Sequence, residues 1–376
     1  MLGFAMRFVA LAATACALAV LVPGAPRAQE PPALQRATGA DKERLKRLIE
    51  EAKQEGAVSY IDGLITPGTH DLLSAAFKKH YGLPDSFKVG NTYGAPVTII
   101  TRMTQEMQAN RYTIDVVGVA SPAWVQGRDA EGKIAHYASP EYANYKRALD
   151  QKMGLKDHFI ANAAYTFAPT WNAETTKFDG NSWKDMVKIA DLAPAGRYSS
   201  SDCAVSDSTL QVYMGVRQIV GLDDYKKLAE GRPVYTYKSE QTLARLVSGE
   251  DIFALYGLTS NIPKFNERGA KLRHLVPKEG YVLLPQVMFI TAGAPHPSAA
   301  KLWFDFVLSQ EGQEIFVKSD SVFSVRGGFK SPRPEIPPFD EMKTISMDWL
   351  KITEQDLQNA RNEWLTMFRG SRGRPR

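Results

Sequence analysis

Cysteine is almost missing from this 376-residue chain, which holds only Cys16 and Cys203. Cys16 falls in an N-terminal leader, so the remaining chain cannot close an internal disulfide, even in a compartment that would permit one. No histidine stands near Cys203 in sequence, so it reads as a small buried residue and not as a nucleophile. An excess of either charge is missing too. Lys and Arg number 46 against 41 Asp and Glu, and Arg7 and Arg27 leave with the leader. That balance argues against a nucleic-acid binder. The basic tail Arg369–Arg376 carries no aromatics and reads as a disordered end. Beyond the leader no apolar run has the length of a membrane-spanning helix. Gly-x-Ser-x-Gly, His-Glu-x-x-His and a phosphate-cradling glycine loop are all absent. The six histidines, His70, His80, His136, His158, His274 and His296, are scattered without ligand spacing.

What is present begins with export. Arg7 precedes the apolar run Phe8–Val22, and Pro23–Ala28 supplies small residues for cleavage. This is a secretory signal peptide, expected to be cut near Ala28. Cys16 lies inside the apolar run and not at its end, which rules out lipid attachment there.

Residues 29–40 are a Pro-rich leader to the fold. Leu45, Leu48, Ile49 and Ala52 form one stripe of a helix over 41–55 that Gly56 ends. Ala57–Ile61 is a strand; a loop through Thr69 leads to a helix with Leu72, Leu73, Ala76, Phe77 and His80 on one face, Thr69 serving as N-cap. Phe87–Gly90 and Ile114–Val119 are further strands, with a helix over 97–108 between them. Strand and helix in alternation mean a doubly wound α/β layer. Ligands of such layers collect at the carboxyl ends of the strands.

Tyr165–Asn172 reads as an extended crossing, with Pro169 barring a helix. A second α/β set follows, with strands at 233–237 and 251–256. Val282–Ile290 reads as the return crossing, 297–308 as a helix, and 353–368 as a last helix capped by Thr353. The expected fold is therefore α/β: two doubly wound lobes on a hinge. Residues 1–28 are the signal peptide, 29–166 the first part of lobe 1, 167–286 lobe 2, and 287–376 the return to lobe 1 with the C-terminal helices.

The richest chemistry lies in Gly196–Thr209, where seven side chains carry a hydroxyl and two a carboxylate. Lys188–Ala190 reads as the approach to a core strand before it, and Leu210–Val216 as a helix after it. A helix start presents unpaired N–H groups and a positive dipole end, so hydroxyls beside it suit the oxygens of an anion. Arg197 would add a full charge. The competing reading is a Ser-rich N-cap through Ser206 or Ser208. Ser298–Lys301 matches Ser-x-x-Lys of acyl-serine enzymes, but Pro297 places it in a helical first turn without the companion motif.

Leu48–Gly56, Ser74–Gly82, Asp115–Val117, Ser182–Asp185 and above all Ala294–Gln313 resemble the periplasmic solute-binding proteins of ABC transporters. The likeness is to the type II fold, on the branch that includes ferric-ion binders. It runs from about Leu45 to the C-terminus. It implies a monomeric receptor without catalytic residues, cofactor or resident metal, which closes on a small solute and docks on an inner-membrane permease. Ferric members place an adjacent tyrosine pair after the late strand of the second lobe; here that position is near Tyr256–Thr259 and holds no pair. The histidine some of them use would fall near Thr66.

The expected solute is therefore a small organic anion, a carboxylate or a phosphate or phosphonate. Its expected contacts are Leu64, Ile65, Thr66, Thr92, Tyr93, Ser121, Arg197, Ser199, Ser200, Ser201, Tyr256 and Arg326. Arg326 could hold a carboxylate bidentately or brace its lobe through an ion pair. Trp124 reads as core. Two other readings stay open. One is ferric-ion binding by the same clamshell, since Fe(III) wants hard oxygen ligands. The other is a secreted hydrolase using Ser201 or Ser298, which needs a base beside the serine.

Overall fold

The computed structural model describes residues 30–370; the expected signal peptide and the end of the basic tail lie outside the described residues. Strands β1 (Ala57–Asp62), β2 (Lys88–Tyr93) and β3 (Val116–Val119) run parallel, with β1 between the other two. Helices α1 (Gly39–Glu55), α2 (Pro67–Tyr81), α3 (Pro96–Gln108) and α4 (Pro122–Ala130) alternate with them. α1 stops at Gly56, whose φ of 74° suits a residue without Cβ. α2, α3 and α4 each open on a proline, whose fixed φ fits a first turn and whose missing N–H would be unpaired there anyway. Pro67 moves the start of α2 forward, so the N-cap position is Thr66 and not Thr69.

Strands β4 (Ile134–Ala135), β5 (Gly154–Leu155) and β6 (Phe159–Tyr165) follow in lobe 1. Lobe 2 contains β7 (Phe167–Asn172), β8 (Tyr198–Ser201), β9 (Val234–Thr236), β10 (Phe253–Leu258) and β11 (Leu272–His274). The chain then re-enters the first sheet as β12 (Leu284–Thr291). The first sheet has the order β2-β1-β3-β12-β6-β5, with β4 against β12; the second has the order β11-β7-β10-β8-β9. Two α/β layers thus stand where two were expected.

The expected boundary at residue 286 falls inside β12, so Val282–Ile290 is mostly a central strand and not a crossing. Lys188–Ala190 belongs to a helical turn, Trp183–Lys188 running into Ile189–Leu192. Its start is fixed by a capping box of Ser182 and Asp185.

Lobe 2 is covered by α5 (Asp207–Val220), α6 (Leu222–Glu230), α7 (Ser239–Val247) and the short α8 (Ile262–Asn266). α9 (Pro297–Leu308) and α10 (Gln310–Asp320) pack in lobe 1, where α9 lies along α1 and α10 along α2. The last helix, α11 (Glu354–Phe368), opens on a capping box of Thr353 and Asp356. It does not stay with lobe 1: it packs on α5 and α6 of lobe 2. Trp364 and Phe368 stack there at 3.7 Å, and Tyr213 meets Trp364 edge-on at 5.3 Å. The chain therefore crosses between lobes three times, not twice. The third crossing runs against the second, Tyr281 N–H donating to Lys343 O and Ile345 N–H to Tyr281 O. At the first, Thr166 donates its hydroxyl to Val282 O at 2.7 Å and accepts from Thr259 N–H.

Candidate functional site

Parallel strands end on one edge of a sheet, so the helices that follow them begin on one edge too. In lobe 1 these starts belong to α2, α3 and α4, after β1, β2 and β3. In lobe 2 they belong to α5 and α7, after the parallel strands β8 and β9. β10 is parallel to β8 and delivers α8 to the same edge. The two edges face one another across the hinge. Lys264 of α8 reaches Asp320 at the end of α10 at 3.3 Å, joining the lobes. The phenol of Tyr93, at the end of β2, is pushed up by partial burial and then by the carboxylates of Asp320, Glu240 and Asp62, of which Glu240 belongs to lobe 2. Exposed Tyr93 and Val97 of lobe 1 and Tyr237 of lobe 2 supply apolar surface at the rim.

The lobe 1 face is organised by one carboxylate. Asp62 ends β1 fully enclosed, and burial raises its pKa against the pull of four hydrogen bonds. Leu64 N–H donates to it at 2.6 Å and Ile65 N–H at 2.9 Å; Gln286 and Asn162 donate side-chain amides. Thr66 turns to Asp320, its hydroxyl donating at 2.9 Å. The amides of Leu64 and Ile65, expected to cradle a solute, thus face inward to Asp62, and the Thr66 hydroxyl is held by Asp320. Thr92 is half-buried and sits in the β1–β2 ladder opposite Ile61. Ser121 occupies the N-cap position of α4 with a hydroxyl that makes no cap bond. Thr92 and Tyr93 end β2 and Ser121 follows β3, so all three stand at the carboxyl ends of the lobe 1 strands, and their side chains are not spent on the loop itself. Trp124 packs 6.3 Å from Phe289, on the core side as expected.

The serine stretch divides. Ser201 Oγ donates to Tyr256 O at 3.2 Å, and Ser200 Oγ to Ser201 O at 2.8 Å. Ser199 is fully buried in mid-strand. Ser206 caps α5 by accepting from Thr209 N–H, which is the capping reading of this segment. Between strand and cap, buried Asp202 accepts from Ala204 N–H and pairs with Arg369, while Arg361 pairs with Asp207.

Three expected contacts lie elsewhere. Arg197 precedes β8 and so stands at the opposite edge of the sheet, where it donates to Gly249 O at 2.8 Å. Tyr256 is wholly buried; its hydroxyl meets that of Tyr225 at 2.7 Å, beside Trp364 and beneath α11. β10 runs two residues beyond the strand end read from sequence, and that turns Tyr256 into the aromatic core. Arg326 pairs with Glu141 at 3.3 Å, and the next residue's N–H bonds Asn144 O, so it braces lobe 1. Sequence reasoning missed Asp320, Lys264, Glu240 and Tyr237. None carries a local motif; only Asp62, a carboxylate ending an apolar strand before Gly63, left a readable signal. Ser298 donates to Glu51 at 2.5 Å, so neither it nor Ser201 hydrogen-bonds to a histidine or lysine as the hydrolase reading requires.

A cavity of about 910 Å³ lies beside the hinge at the β11 edge, walled by Trp171, Ile262, His274, Tyr281, Phe323 and Ile336. Burial pushes the His274 imidazole down to about 4, leaving it neutral. Arg333 in its wall is already paired with Glu267 and Glu335. The side chains that line it are mainly apolar and aromatic, and its charged groups are already paired.

Residues 73–336 match the family described as bacterial extracellular solute-binding protein, and the chain belongs to that family. No curated protein matches it. Among solved structures it is similar to the periplasmic binding protein AfuA from Actinobacillus pleuropneumoniae, with fructose-6-phosphate bound. The TM-score is 0.65 at 20% identity, covering 83% of this chain and 98% of that one. Iron-bound HitA from Pseudomonas aeruginosa aligns with a TM-score of 0.63 at 18% identity, over 83% and 98% of the two chains. A substrate-binding protein of an ABC transporter from Agrobacterium tumefaciens aligns at 0.65 with 13% identity, over 90% and 97%. These likenesses establish the type II binding-protein fold.

Proposed function

We propose that this chain is the periplasmic receptor of an ABC importer, a monomer that captures a small anionic organic solute between its lobes and presents it to an inner-membrane permease. The observation that carries the reading is the meeting of helix starts: α2, α3 and α4 from one lobe and α5 and α7 from the other open toward one gap. Each contributes first-turn N–H groups and a positive dipole end, which favour carboxylate, phosphate or phosphonate oxygens. Tyr93 and Ser121 add hydroxyl donors, and Lys264 adds a cation once solute oxygens compete for it with Asp320. That AfuA holds a sugar phosphate in the same fold supports an anion. Closure is a hinge motion selected by the solute's affinity for the shut form.

The test is a thermal-shift screen of carboxylates, sugar phosphates and phosphonates, followed by calorimetry on hits with Tyr93→Phe and Lys264→Ala. A hit whose affinity falls about tenfold in K264A supports the reading, since a hydrogen bond to a charged group contributes about 1.5–3 kcal/mol. A library-wide absence of stabilisation would sink it.

Ferric-ion binding is a second reading with one observation in its favour. The Tyr93 phenol lies in the field of Asp320 and Glu240, a set of hard oxygen donors. Fe(III) bound there would give a visible phenolate-to-iron band that Y93F abolishes; a colourless protein removes the idea.

A further inference from the structure

We propose that Asp129, His136 and His158 form a binding site for a divalent transition cation of the zinc class, separate from the solute gap. These three residues are distant in any sequence motif. Asp129 is on the last turn of α4, His136 follows β4, and His158 sits in the turn between β5 and β6. The fold brings their ligand atoms within 4.8 Å of one another. His136 Nε2 lies 3.0 Å from one Asp129 oxygen and His158 Nδ1 lies 2.8 Å from the other. The two imidazole rings touch, with centroids 3.8 Å apart. Two rings and one carboxylate thus converge on a common point.

The other histidines behave differently. His70 bonds Tyr60, His80 bonds Glu311, His274 bonds Tyr281 and His296 bonds Asp115, each with its own partners and no second histidine. Among the described residues, only here do two imidazoles share one carboxylate.

The donor set selects the cation. Imidazole nitrogen with a single carboxylate suits Zn²⁺, Ni²⁺, Co²⁺ or Cu²⁺, whereas Mg²⁺ and Ca²⁺ favour all-oxygen cages. Zinc with bonds of about 2.0–2.1 Å needs ligand atoms roughly 3.3 Å apart in a tetrahedron. The hydrogen-bond spacings already approach that, and His136, exposed to 58%, is free to adjust. Its exposure also leaves room for water as a fourth ligand. The backbone is fixed on each side: β4 pairs with β12, β5 with β6, and Tyr137 N–H donates to Asp157 O at 2.8 Å. Asp129 stands at the carboxyl end of its helix, where the dipole is negative and favours a cation. Ser121, at the opposite end of that helix, faces the proposed solute side; eight residue steps of helix separate the two by roughly 12 Å. A cation at one end therefore does not occupy the space of a solute at the other.

The experiment uses the tagless mature chain, stripped with a chelator and titrated calorimetrically with ZnCl₂. One Zn²⁺ per chain is expected, with a Kd on the order of tens of micromolar, as three side chains and a water hold the ion more weakly than four side chains. His136→Ala and His158→Ala each weaken binding at least about tenfold, and Asp129→Asn does so comparably. Co²⁺ titration read by NMR should broaden the His136 and His158 ring signals first. No heat at millimolar zinc overturns the proposal, with Asp129 then acting as a shared hydrogen-bond acceptor only. Undiminished binding in the H136A/H158A double variant, or one ion per two chains, overturns it equally. His136 is exposed, so its variant retains the fold and keeps the test decisive; Tyr93→Phe leaves zinc binding unchanged whatever the solute proves to be.

Discussion

The β1–α2 loop of lobe 1 and the β8–α5 loop of lobe 2 solve one problem in two ways. Each leaves a parallel strand through a buried aspartate, and each aspartate takes a backbone N–H two residues on: Asp62 from Leu64, Asp202 from Ala204. Their remaining oxygen capacity is met differently. Asp62 is surrounded by neutral amides, those of Ile65, Gln286 and Asn162, and burial raises its pKa. Asp202 is met by the guanidinium of Arg369, delivered from the far end of the chain. One loop is held by dipoles from within its own lobe, the other by a full charge from a segment that arrives last. A dipolar brace tolerates no change of shape; a charged one tolerates no loss of its partner.

The largest expected effect tests the first brace. A Cβ on Gly118 would lie 1.8 Å from Asp62 Oδ2. Gly118→Ala must therefore eject the carboxylate or push β3 from β1, costing about 4 kcal/mol or more, read as failure to fold or a collapse in denaturant midpoint. Next comes the second brace. Arg369→Ala leaves Asp202 buried beside Ala204 N–H without its cation, costing about 3 kcal/mol by urea unfolding, while Asp202→Asn with Arg369→Ala recovers part of the loss. If R369A were neutral, the contrast between the two loops would fail.

A third measurement concerns pH. The His274 pKa falls from its ordinary 6.5 to about 4 through burial, so the unfolded chain binds the proton more readily. The stability it contributes is present above pH 6.5 and is lost as pH falls toward 4. The full drop is at most about 3 kcal/mol, reduced by the partial exposure of the ring, and His274→Gln should flatten it in a pH series of melting temperatures. The smallest effect is for Lys264→Ala without solute. Its pair with Asp320 is partly exposed and should change stability by less than about 1 kcal/mol, even though the same variant weakens solute capture.

Much of lobe 1 was legible because its signals are local. The stripe of α1, the wholly apolar β3 and the glycine after α1 each fix an element within a few residues. What failed was non-local. Val282–Ile290 read as a crossing, yet it is mostly a central strand: Pro285, which could not donate to a ladder, lies where β12 pairs only with β6, before β3 joins at Val287. Tyr256 was misplaced by a two-residue error in a strand end, enough to exchange rim for core. The serine stretch announced polar chemistry correctly, but whether a hydroxyl faces a solute or a neighbouring carbonyl depends on a strand register that composition does not encode. The pairing of His136 with His158 depends on two short strands and one helix end meeting, and no spacing rule anticipates it.

The third crossing has a temporal meaning. Because α11 seals the aromatic face of lobe 2 and Arg369 neutralises Asp202, a growing or threading chain cannot finish its middle lobe until its last residues are free. The last contacts of lobe 2 are therefore made by the last described residues of the chain.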